Sequence, residues 1–147
     1  MRHLRPAARA FGAFPRAAFA RLAFAVAAAC LPLLPAAARA ATVAPFTEAA
    51  FKAAEAQGRP ILLDIFATWC PTCAAQKPII AHLSQAPEFH DLLILRVNFD
   101  TQKAVVRAMG ARMQSTLVAF HGATLKGVSV GETDPAAIKA LLVKAEG

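Results

Sequence analysis

"FATWCPTCAAQKP", residues 66–78, sets Cys70 and Cys73 three positions apart, directly behind the apolar run "PILLDIFA", residues 60–67. An almost unbroken apolar run of this length reads as a strand buried on both faces, as central strands of parallel sheets are. The residues from Cys73 on, "CAAQKPIIAHLSQ", have helical composition interrupted by Pro78, and Pro87 breaks the pattern, so a kinked helix is expected. Cys70 therefore falls where a strand ends and a helix begins. Pro71 fits the first helical turn, where its missing N–H costs nothing.

Outward from this junction the chain alternates. "ATVAPF", residues 41–46, is an edge strand or a tail, and "TEAAFKAAEAQG", residues 47–58, is a helix with Thr47 as N-cap and Gly58 as its stop. "DLLILRVNFD", residues 91–100, is a second buried strand, and "TQKAVVRAMG", residues 101–110, a short helix capped by Thr101 and ended by Gly110. "STLVAFHG" and "TLKGVSVG" are two strand-like runs joined around Gly122, and "DPAAIKALLVKAEG" opens a last helix with Asp134 at the cap and Pro135 behind it. Strands separated by helices return in the same direction through right-handed crossovers, whereas two strands joined by a short turn run antiparallel. The order predicts an α/β fold: a central mixed sheet of four to five strands with helices on both faces.

The charge is concentrated at one end. Of the formal +7, residues 1–40 carry six arginines and no acid, leaving ten Lys/Arg against nine Asp/Glu, or +1, for residues 41–147. The high pI thus belongs to a leader, and the near-neutral remainder speaks against a nucleic-acid partner. The leader has a basic start, an apolar stretch from Leu22 to Pro35, and small residues at Ala38 and Ala40, the pattern of a cleaved secretory signal peptide. Its 17 residues from Leu22 to Ala38 include Pro32 and Pro35 and fall short of the ~20 that cross a bilayer. Cys30 in this stretch reads as apolar filler removed with the leader. The expected division is 1–40 signal peptide and 41–147 one domain, exported to a periplasm, where disulfides persist.

Three uses of the cysteine pair follow from chemistry. A structural zinc site takes four ligands, and one pair with the scattered His82, His90 and His121 does not supply them. A staple across three positions closes too small a loop to remove much chain entropy. Redox exchange suits the position: at a helix N-terminus the dipole and free N–H groups favour the Cys70 thiolate, the attacking species.

"ILLDIFATWCPTCAAQKP" resembles the active-site segment of thioredoxins, and the likeness extends over residues 47–147. It implies the thioredoxin fold, with Cys70 as exposed nucleophile and Cys73 as buried resolving thiol. Asp64, six positions before the nucleophile, would be the buried acid that exchanges a proton with the resolving cysteine, with Arg96 where a lysine usually partners it. Trp69, Pro71, Gln114, Ser115 and Thr116 would line the substrate contact. Two departures stand out: Pro-Thr replaces Gly-Pro between the cysteines, and Ser115 occupies the place of the family's cis-proline. A trans Gln114–Ser115 bond is expected there, with the serine N–H or hydroxyl able to donate to Cys70, or the hydroxyl bonded instead to local backbone.

The resemblance implies a thiol–disulfide oxidoreductase, without built-in cofactor or metal, that acts as a monomer on protein disulfide or dithiol substrates. A reductant recycled by a membrane electron-transfer partner is the first reading. The others are a disulfide-introducing oxidase and a metal- or iron–sulfur-handling module in which two protomers pool their cysteines.

Overall fold

In the computed structural model, which describes residues 40–147, the five strands lie in the order β1-β3-β2-β4-β5. They are β1 (Thr42–Pro45), β2 (Pro60–Phe66), β3 (Leu93–Asn98), β4 (Thr116–His121) and β5 (Thr124–Val130). The expected signal peptide and Cys30 lie outside the described residues. The run read as a central strand is β2, and the run read as edge strand or tail is the edge strand β1, which makes the sheet five-stranded. β2 pairs parallel with β3, β3 parallel with β1, and β2 antiparallel with β4. The β4–β5 hairpin turns at Gly122, whose φ of 54° suits a residue without Cβ.

Strand periodicity assigns the two layers. Ile61, Leu63 and Ile65 of β2 join Leu93, Leu95 and Val97 of β3 in one core with Phe51 of α1 (Glu48–Ala56) and Val106 of α3 (Lys103–Ala108). The alternate residues, Leu62, Ile94 and Leu117, face the other way. They pack with Ile80 of α2 (Pro71–Leu83) and with Ile138 and Leu142 of α4 (Pro135–Glu146). Successive side chains of a strand point to opposite faces, so a strand with no polar surface to offer must be covered on both. Asp64, even-numbered like Leu62, therefore faces the α2 and α4 layer.

Helix ends follow their local chemistry with one exception. The Thr47 hydroxyl accepts from the Ala50 N–H, the Asp134 carboxylate from Ala136 and Ala137, and Gly58 and Gly110 take positive φ just past their helices. Thr101, the expected cap of α3, is not the cap. Gln102 holds that position, and its side chain instead accepts from the Asn98 N–H and donates to the Phe46 carbonyl, tying the β3–α3 loop to the end of β1. Helix α2 runs from Pro71 to Leu83 with Pro78 inside it, and Pro87 opens a short 3-10 turn behind it.

Candidate active site

The end of β2 delivers Cys70 to the N-cap of α2, with Pro71 in the first turn. Cys70 and Cys73 are joined in a disulfide. The Cys73 N–H donates to the Cys70 Sγ at 3.1 Å, one of the free donors that every helix start leaves unpaired. Once the bond is opened, that donor and the helix dipole favour negative charge on Cys70. The expected contrast in exposure is absent: Cys70 is 3% and Cys73 8% accessible. The reason is packing. Both cysteines cluster with Ala67, and the partly buried Phe66 and Phe99 pack against them. What distinguishes the two sulfurs is the helix end, which Cys70 caps, rather than access. A cleft of about 300 Å³ lined by Phe66, Thr68, both cysteines, Lys77 and Arg96 opens beside the pair.

Asp64 lies in the middle of β2 and is buried, opposite Arg96 of β3 in register. The Arg96 Nε–H donates to its carboxylate at 3.0 Å, and the guanidinium stacks 3.8 Å from the centroid of the Phe66 ring. Burial raises the Asp64 pKa above the ordinary carboxylate value, while the hydrogen bond and charge of Arg96 pull it down; burial prevails. The acid is thus paired, and its desolvation is partly offset. A second cleft of about 160 Å³ is lined by Asp64 together with Lys77, Ile80 and Ile94.

Trp69 is 60% exposed, and its indole N–H donates to the Asp100 carboxylate at 2.9 Å, which fixes the ring beside the cysteines. Pro71 is also exposed and Gln114 half-buried, whereas Ser115 and Thr116 are buried. The Thr116 hydroxyl donates to the Met113 carbonyl. No peptide bond among the described residues is cis, so Gln114–Ser115 is trans as expected. Ser115 instead takes a φ of 55°, a left-handed conformation uncommon for a side chain larger than glycine's. Its hydroxyl donates to the Gln114 carbonyl at 2.6 Å. The expectation that this hydroxyl serves Cys70 is therefore corrected: its single proton is taken by local backbone, as serine commonly arranges in irregular segments.

One residue near the site escaped the reading of the sequence. Gln76, a turn beyond Cys73, is 1% exposed, and its amide nitrogen donates to the Ser115 carbonyl at 3.3 Å and the Glu132 carbonyl at 2.8 Å. The available signal was a polar residue three places after Cys73, on the helix face that the cysteine buries.

Comparison with known proteins bears on this arrangement. A family model described as Thioredoxin matches residues 42–144. Thioredoxin Asp f 29 of Aspergillus fumigatus is 33% identical over 84 residues, covering 55% of this chain and 76% of its own. The thiol:disulfide interchange protein DsbE of Escherichia coli strain K12 is 32% identical over 77 residues, covering 51% of this chain and only 40% of its own. Among solved structures, the crystal structure of Trxlp from Edwardsiella tarda EIB202 is 40% identical with a TM-score of 0.67, covering 69% of this chain and 98% of that one.

Proposed function

Since the chain belongs to the thioredoxin family and is a thiol–disulfide oxidoreductase by that membership, we propose that it reduces protein disulfides outside the cytoplasm through Cys70 and Cys73 of its WCPTC motif. The Cys70 thiolate attacks one sulfur of a substrate disulfide and expels the other as a thiolate, leaving a mixed disulfide. Cys73 then gives up its proton and attacks the Cys70 sulfur. The second substrate thiolate leaves, and Cys70–Cys73 is oxidised. Two electrons pass to the substrate, and its two thiolates take up two protons, one given up by Cys73 and one from water, into which Cys70 released its own on ionising.

The observation that carries this reading is Asp64. A carboxyl buried beneath α2, with its affinity for protons raised, suits the proton exchange that the resolving step requires. Trp69, Pro71 and Gln114 supply surface around the cysteines for a substrate, and Ser115 and Thr116 shape the backbone behind it. Export is supported by the basic and apolar pattern of residues 1–40, and a compartment without soluble reductant calls for a membrane electron-transfer partner to restore the dithiol. The protein acts as a monomer.

A measured reduction potential for the Cys70/Cys73 couple tests the direction: about −270 mV is expected of a reductant, and about −120 mV would make it a disulfide-introducing oxidase. The oxidase reading draws on one observation, the Cys73 N–H held against the Cys70 sulfur, since a donor that stabilises the thiolate stabilises the reduced form. Trapping gives the roles of the thiols. Cys73→Ser should accumulate mixed disulfides with substrate proteins, and Cys70→Ser should accumulate none.

A further inference from the structure

Gln76 is fully committed on one side and idle on the other. Its amide nitrogen spends both protons on the Ser115 and Glu132 carbonyls, and its Oε1 is buried without a donor among the described residues. The orientation is fixed by chemistry: turning the amide over would set its oxygen against two carbonyl oxygens. A buried acceptor left without a donor costs free energy comparable to a lost hydrogen bond.

The buried face of α2 that carries this side chain also carries Cys73. Cys73 and Gln76 stand three residues apart on the buried face of α2, where side chains i and i+3 meet and lean toward the helix start, here from Gln76 toward Cys73. In the disulfide the Cys73 sulfur carries no proton. Opening the bond consumes two electrons and two protons, drawn from an external dithiol that becomes a disulfide. One of those protons turns the buried Cys73 sulfur into a donor. We propose that Gln76 is a positioning residue of the redox couple, its amide nitrogen clamping the Ser115 segment against α2 and its Oε1 accepting the Cys73 S–H in the dithiol state.

The arrangement works in one direction. The bond forms only with the protonated thiol, and the unpaired oxygen is a liability only in the disulfide; both favour the dithiol and so raise the reduction potential. The inference rests on the proposed function only in requiring that Cys70 and Cys73 open to a dithiol.

The test is the infrared S–H stretch of Cys73 in the full chain carrying Cys30→Ser and Cys70→Ser, where it is the only thiol. A band displaced to the low frequency of a hydrogen-bonded thiol, returning to the free-thiol position in Gln76→Met, is the expected result. A free-thiol band in the chain that retains Gln76, with the circular dichroism of the unsubstituted protein, would overturn the proposal, and this arm does not depend on Gln76→Met folding. A displaced band that persists in Gln76→Met would overturn Gln76 as the acceptor. In the otherwise unmodified protein, Gln76→Met should also shift the equilibrium with glutathione about three- to tenfold toward the disulfide, the worth of one hydrogen bond. The infrared band reports the proton even if no protein substrate is reduced, so loss of the substrate reading leaves this result standing.

Discussion

The two walls around the disulfide are built by different physics. On one side β2 and α2 carry Asp64, Cys70 and Cys73 on regular elements that sit in apolar cores on both faces of the sheet. On the other side the segment before β4 has no regular structure, and Ser115 is held by a few polar contacts. Its carbonyl accepts from the Gly131 N–H at 2.8 Å and from Gln76, and its hydroxyl turns onto Gln114. Burial of apolar surface is non-directional and collective, so the first wall is held by its close-packed core as a whole and feels any loss of volume there. A handful of hydrogen bonds is directional, and the second wall can be altered one bond at a time.

The comparison breaks if the first wall proves insensitive to its core. Leu63 is fully buried in β2, and Leu63→Ala should lose about 2–5 kcal/mol of stability, whereas Leu125→Ala, at a 55% exposed position of β5, should stay within about 0.5 kcal/mol. Urea unfolding of both variants measures the contrast. Equal losses would mean that the sheet centre is not what holds the cysteines in place.

A smaller effect sharpens the account of the second wall. A non-glycine residue in left-handed backbone costs roughly 1–2 kcal/mol. Ser115, at φ 55°, should therefore tolerate Ser115→Gly with no loss of stability, while the β-branched Ser115→Val should cost about 2 kcal/mol. If valine is accepted as easily as glycine, the segment is free to rearrange and the clamp on its carbonyl holds nothing.

The pH dependence of Asp64 probes the charged member of the first wall. Its folded pKa is raised above the ordinary 3.8, so the folded state binds the proton more tightly than the unfolded chain does. The contribution of Asp64 to stability is then most favourable below pH 3.8 and declines as pH rises toward the folded pKa. Wild type should lose stability relative to Asp64→Asn across that window and keep a constant difference above it. Arg96→Leu should widen the window upward, because the guanidinium is what holds the pKa down. A difference that runs the opposite way with pH would show the ion pair, not burial, in control.

The least effect is expected at the Ser115 hydroxyl. With its proton on Gln114, Ser115→Ala should leave the thiolate absorbance titration of Cys70 superimposable on that of wild type. A shifted curve would bring the hydroxyl back into contact with the sulfur.

What was legible in the sequence is what local patterns dictate. The apolar run of β2 requires cover on both faces. The Thr47, Asp134 and Pro135 signals set helix starts, and Gly122 marks the turn of the hairpin. The strand-to-helix junction put Cys70 at a helix N-terminus, and Asp64 amid apolar neighbours was bound to be buried. Each depends on residues close in the chain, where periodicity and capping act. Tertiary structure alone decided the rest. The cap of α3 passed from Thr101 to Gln102, whose side chain reaches Phe46, just past β1, across 56 positions. The two cysteines are equally hidden because Phe66 and Phe99 arrive from separate strands' ends, and Arg96 meets Asp64 only through sheet register. Ser115 takes its left-handed turn because Gln76, 39 positions earlier, and Gly131 hold its carbonyl. Directional bonds between distant residues leave no period in the sequence, and so these features existed only once the chain had folded.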